Sequence, residues 1–411
     1  MGVIEPNEPY TNEVKLEDAV VYEWKKEASE SAPNQLVVKT GKPGLQSVIN
    51  KRGFGATFTL KNGVYTEPIV ITKPITLRGE SLEGCRFEIV GDKPAIQVNN
   101  PHEGQVVIEN LTINWHLEKA GEDDVDYAAL DMVTGTTTIN GCFVENTADE
   151  TLAPAAILNR GSATLNLTNT QIEGPFGSAV FINKSTKAVI TDCVINRSVY
   201  HGIAIDDFVK AEIQRNIITN CGSSGIESYG FFITVRDNLI EHNRSGLSVS
   251  GGSQGTVENN IFVKNSTGID AVWSGTVKIS NNIIAESEST GIFFGLGKLT
   301  IDNNIFLKNK TGLMFFGSGE NNQNKLGLNT YWSNKKVNEG FKYVSRHIVG
   351  LYGDFIGSSY KLKDGCEAAK EKQGLSDIEV MEKILSKRNE SGVNDRITKG
   401  AAEMDEKKDE E

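Results

Sequence analysis

Asparagine recurs at Asn216, Asn238, Asn260, Asn282 and Asn304, each step being 22 residues. The position three before each is always Val or Ile, and the position one after is always Ile or Leu, from Ile217 to Ile305. A Gly followed by Ile or Leu recurs as well, at Gly202, Gly225, Gly246, Gly268, Gly291 and Gly312, at intervals of 21 to 23. A fixed period of this size means stacked supersecondary units that share one continuous core. Each unit holds three short apolar/polar alternations separated by Asn, Gly and Ser, which is strand-and-turn composition and excludes helical repeats. One unit is therefore one coil of a parallel β-helix. Coils stack at about 4.8 Å, so residues of one column lie above one another. The asparagines then form an amide ladder, and Asn is suited to a left-handed bend. The Ile column that follows them, Ile261 included, is expected to point into the core.

Three further stretches carry a resemblance to a known family: the Gly-Ile strands, the Val-x-x-Asn-x-Ile runs and the segment from Leu60 to Glu80 with its Gly63-x-Tyr65-x-Glu67 opening. The chain resembles the right-handed parallel β-helix, or pectin-lyase-like, superfamily, in particular its carbohydrate-binding and sugar-hydrolase repeat branch and uncharacterised bacterial members. The exit, Asn329 to Asn334 and Tyr360 to Ala369, is similar to the closing segment of such proteins, with Cys366 and Glu367 in place of the usual Ser-Pro. The resemblance implies an all-β right-handed solenoid. It is unspecific about reaction, because the superfamily hosts lyases, hydrolases, esterases and inert scaffolds.

The expected organisation is an N-terminal extension over 1–40, a β-helix over 41–350, a closing segment and helix over 351–390, and a disordered charged tail over 391–411. Leu16 to Ser29 carries helix formers. Gly44 to Lys51 reads as a capping helix, which a solenoid needs to cover its first coil. No proline follows Pro175, which fits an unbroken parallel ladder over the regular coils. Ser376 to Arg388 reads as an amphipathic helix.

A net charge of −12 argues against a nucleic-acid partner, which would need a basic stripe. No segment approaches about 20 consecutive apolar residues, so no membrane partner is expected. The chain reads as cytoplasmic if it is complete, and as secreted or periplasmic if a signal peptide has been removed. The five cysteines form no Cys-x-x-Cys, and buried free thiols are expected. No cofactor is implied. Glu122, Asp123, Asp124 and Asp126 follow His116 in an acidic insertion, read as a solvated loop before a calcium site.

With Ile203 and its column equivalents inward, Ala204, Glu227, Ser248, Asp270, Phe293 and Met314 face outward. Two positions on come Asp206, Tyr229, Ser250, Val272, Gly295 and Phe316. The candidate catalytic set is thus Asp206, Asp207, Glu227, Asp270, His201 and Tyr229. Two carboxyls on nearby coils suit an inverting glycosidase, in which one gives a proton to the leaving oxygen and the other activates water. Asp206 and Asp207 resemble the paired aspartates of polygalacturonases, but the histidine precedes them here and the other motifs of that family are missing. The Gln-Asp-Thr-Leu and Gly-Arg-Pro-Trp motifs of pectin methylesterases are missing too. No Arg or Lys stands in either outward column to neutralise a uronate for a lyase. Phe293, Met314 and Phe316 are suited to stacking on sugars but are expected to lie under the C-terminal segment. Two function classes stay open. One is a polysaccharide- or oligosaccharide-interacting protein, a hydrolase of acidic glycans in its enzymatic form; the other is a non-enzymatic scaffold that recognises a glycan or a protein. Short turns between Ile203 and Phe316 favour the scaffold.

Overall fold

The computed structural model describes residues 35–38, 44–117, 128–147, 155–206, 209–230, 232–317, 323–339, 347–349, 355–356, 361–362 and 378–390. The acidic insertion, Asp207, Cys366, the Leu16–Ser29 stretch and the charged tail lie outside them. Within them the chain is a parallel β-helix. A regular coil consists of a Gly-first strand, so called because Gly is the first of its inward-facing residues although second in the strand, such as Thr267–Ala271, then a second strand, Thr276–Ser280, and a three-residue strand, Ile283–Ala285. Each pairs in parallel with its counterpart one coil on, as Ile269 does with Ile292, Ile279 with Ile301 and Ile284 with Phe306. The described pairings are parallel throughout, apart from a two-residue antiparallel pair, Phe355–Ile356 with Lys361–Leu362.

The Gly column has a steric cause. A Cβ on Gly202, Gly225, Gly246, Gly268, Gly291 or Gly312 would stand 2.5 to 2.8 Å from a carbonyl oxygen of the next coil. It would also press on a core side chain, as Gly268 would on Ile284. Both the Gly and the Ile after it face inward, so the strand bends between them and the residue before the Gly is turned outward.

The amide ladder is present and runs further than the strict period shows. Nδ2 of Asn216, Asn238, Asn260, Asn282 and Asn304 donates to Oδ1 of the next rung at 2.9 to 3.1 Å, ending on Asn329. Cys193 begins it, its backbone N–H donating to Asn216 Oδ1 at 2.9 Å. The left-handed backbone, however, belongs to the residue before each rung: Arg215, Asp237, Asn259, Asn281 and Asn303 have φ of 56° to 59°. The rung asparagines are needed for their hydrogen bonds, not for the bend. A second, unforeseen ladder occupies another corner, where Asn243 donates to Asn265 at 3.1 Å and Asn309 to Asn334 at 3.0 Å. Again the preceding residues, His242, Lys264, Lys308 and Ser333, are left-handed.

Asn260 is fully buried and donates to Val235 O, Glu258 O and Asn282 Oδ1 while accepting from the N–H and Nδ2 of Asn238. Asn260→Ala strands several of these groups without water, and each such loss costs about 1–3 kcal/mol. A total of about 3 kcal/mol is expected in a urea melt. A change near zero would mean that the ladder does not hold the corner.

The N-terminal helix, Leu45–Asn50, covers the first coils as expected, with Leu45 and Ile49 buried in the main core. Four thiols, Cys85, Cys142, Cys193 and Cys221, are buried and form no disulfide with one another. Burial pushes those of Cys142 and Cys221 up to about 12. The Ile column corrects the sequence reading. Phe262, Ile284 and Phe306 belong to the core inside the coils. Ile217, Leu239, Ile261, Ile283 and Ile305 are just as buried but belong to a separate cluster with Met381 and Ile384 of the C-terminal helix, Ile378–Glu390. They point out of the coils, and that helix covers them. In three-residue strands between two bends, the first and third side chains face out, so an apolar column there means an external cover. No described helix is long and apolar enough to cross a membrane.

Candidate functional site

The outward column of the Gly-first strands is the one read from the sequence. In register it runs Phe181, Ala204, Glu227, Ser248, Asp270, Phe293, Met314. Glu227 is 9% exposed. Its Oε2 accepts from Ser224 Oγ at 2.7 Å and its Oε1 from Ser248 Oγ at 3.0 Å. Ser224 reaches it because the Gly225 bend turns both residues outward. His201, turned outward by the Gly202 bend on the preceding coil, sets Nδ1 3.9 Å from Glu227 Oε2, too far for a hydrogen bond. That buried nitrogen has no hydrogen-bond partner among the described residues. Burial lowers the imidazole's pKa, and the opposing charge of Glu227 only partly restores it. His201 is therefore held towards its neutral form.

Asp270 lies two coils from Glu227, with Ser248 on the coil between. Burial raises its pKa; the Val272 N–H, donating at 3.3 Å, works against the rise, the Glu227 charge adds to it, and Arg244 opposes it. The two shifts act on stability in opposite directions. A neutral His201 weakens the fold as pH falls below its unfolded value of about 6.5. Asp270 weakens it as pH rises from its unfolded value of about 3.9 through the raised native one, because over that window the native state holds more protons. Glu227→Gln removes one cause of the Asp270 shift, so the carboxyl's titration midpoint, followed by carbon-13 NMR, is expected to move to lower pH. An unmoved midpoint would show that the Glu227 charge does not reach Asp270.

Of the remaining candidates, Asp206 ends its strand and pairs in register with Asn183, and Tyr229 follows its strand at 54% exposure, within reach of Gly251. Asp207 lies outside the described residues. Neither Arg244, one residue before a Gly-first strand, nor Trp273, in the turn after another, was found in the sequence, because both sit just beyond the alternating positions. The serine hydroxyls on Glu227 were missed because the bend at Gly breaks simple alternation. Phe316 contradicts the expected cover: it is 51% exposed, and the C-terminal helix lies on a different face. Its ring meets Phe293 edge-on at 6.1 Å and Trp273 at 6.3 Å. Among the described residues no cluster of His, Cys, Asp and Glu is arranged to hold a metal ion.

A family model described as the right handed beta helix region matches residues 178–330. By fold, the chain is a right-handed parallel β-helix. No curated protein sequence matches this β-helix. Among solved structures, a double mutant of the periplasmic alginate epimerase AlgG is 14% identical, the match covering 74% of this chain and 82% of that one at a TM-score of 0.52. The PL6 family alginate lyase AlyGC is 13% identical at a TM-score of 0.52, the match covering 84% of this chain but only 57% of that one. At such identities the likeness is one of fold.

Proposed function

We propose that this protein binds a polysaccharide along the outward face of its Gly-first strands and hydrolyses it at the carboxyl pair Glu227 and Asp270. The observation that carries this is the contrast between two carboxyls on one column. Asp270 is held towards its protonated form by burial and by Glu227. Glu227 has both oxygens acting as acceptors for serine hydroxyls. The carboxyl that keeps its proton suits the acid role, and its neighbour, placed to accept, suits the base role. Two coils separate their backbones by about 9.6 Å, which leaves room for a water and suits inversion. Asp270 gives its proton to the glycosidic oxygen as the bond from that oxygen to the anomeric carbon breaks. Glu227 takes a proton from the water whose oxygen bonds to that carbon from the opposite side. His201, held neutral beside Glu227, adds no competing positive charge and fixes one wall of the site. Two neighbours in fold whose names contain alginate, a polysaccharide, support the substrate class.

Arg244 beside Asp270 favours one other reaction, elimination from a uronate whose carboxylate the guanidinium neutralises. Product analysis separates the two. Hydrolysis yields new reducing ends, with inverted anomeric configuration in proton NMR; elimination yields unsaturated, ultraviolet-absorbing ends. Unsaturated ends, or binding of a glycan without any cleavage, would overturn the hydrolytic proposal, the second result in favour of a recognition scaffold.

A further inference from the structure

The aromatic residues beside the carboxyl pair specify the substrate. Trp273 follows Asp270 on the same coil, Phe293 stands on the next coil and Phe316 on the one after. Their rings meet edge-on at 6.1 and 6.3 Å, while Trp273 and Phe316 remain 58% and 51% exposed. The rings thus form one apolar ribbon running along the helix axis away from Asp270. The coil spacing of about 4.8 Å is close to the length of a pyranose unit in an extended chain, so a glycan laid along the axis presents about one sugar per coil. Charge narrows the choice further. A uronate carboxylate bound at the carboxyl pair would meet the Glu227 charge, and like charges set together at an interface cost several kcal/mol. Arg244, the neighbouring cation, is already engaged electrostatically with Asp270. The protein's net charge of −12 acts against a polyanion as well.

We propose that Trp273 and Phe316 are stacking platforms for a neutral polysaccharide, whose uncharged sugar rings lay their C–H faces on the aromatic ribbon next to Glu227 and Asp270. This rests on the hydrolytic reading of that pair and names its substrate as neutral, in place of the acidic glycan expected from the sequence. The ribbon supplies binding only, so its removal should act on KM and spare kcat.

The test is reducing-end release by the full-length protein from matched neutral glycans (glucan, mannan, xylan) and polyuronates (alginate, polygalacturonate), repeated with Trp273→Ala and Phe316→Ala. Both side chains are half exposed, so the variants are expected to fold, and circular dichroism checks this. The expected result is release from at least one neutral glycan and none from the polyuronates, with KM raised about tenfold in each variant and kcat unchanged. Release from polyuronates alone overturns the neutral substrate and leaves hydrolysis at the pair standing. Unchanged KM in both variants overturns the platform. No release from any glycan overturns the hydrolytic reading and this inference together.

Discussion

Ile261→Asp is expected to destabilise the protein by about 4 kcal/mol, because it leaves an unpaired carboxylate buried between the sheet and the C-terminal helix. Ile261 is fully buried among Leu239, Ile283 and the helix residues Met381 and Ile384. Its place outside the coils gives the damage a particular form. The aspartate can regain water if the helix lifts off, whereas the ladder of Asn260 and the core around Phe262 stay closed. Hydrogen exchange should therefore speed up over 378–390 far more than in the strands around Phe262. Met381→Asp should reproduce that local pattern, and the double variant should cost less than the sum of the two, since neighbours in one cluster couple. Uniform acceleration across all strands would instead place Ile261 inside the coils.

Glu227→Gln and Asp270→Asn should each lower turnover by about 10²- to 10⁴-fold, the usual contribution of a positioned general acid or base. The amides keep shape but cannot exchange the proton. Asp270→Asn is also expected to hold or raise stability at neutral pH, because the native state no longer has to keep a carboxyl whose ionisation burial opposes. Activity of the parent should fall as pH rises through the raised Asp270 value, since the acid must carry its proton to act. Full turnover in both amide variants would move the chemistry off this column.

Much of this fold is legible in the sequence because its period is strict. The 22-residue step of Asn216 to Asn304 fixes the coil, and the Gly-Ile column marks the strand whose outward residues carry the site. What the alternation rule misses lies next to bends. Inside-out alternation holds along a straight strand, but Gly225 and Gly268 bend the chain, so Ser224 reaches Glu227 and both Gly268 and Ile269 face inward. The same limit hides the outward direction of Ile261, because an apolar residue under a helix from another part of the chain has the composition of a core residue. The second ladder, Asn243 to Asn334, escapes a search for one column because Ser287 interrupts it and Cys221, not an asparagine, stands at its head. Arg244 and Trp273 lie in turns, where no periodicity assigns a direction. Fold is repeated along the chain and so is written many times over, while the site is written once.

The measurement that bears most directly on the central claim is a crystal structure of the Glu227→Gln variant soaked with an oligosaccharide that the parent cleaves. The expected result is a chain lying along the helix axis, a sugar ring on Trp273 or Phe316, and a glycosidic oxygen within hydrogen-bond reach of the Asp270 carboxyl. An oligosaccharide bound on another face, with the column of Glu227, Ser248 and Asp270 left to solvent, would contradict it.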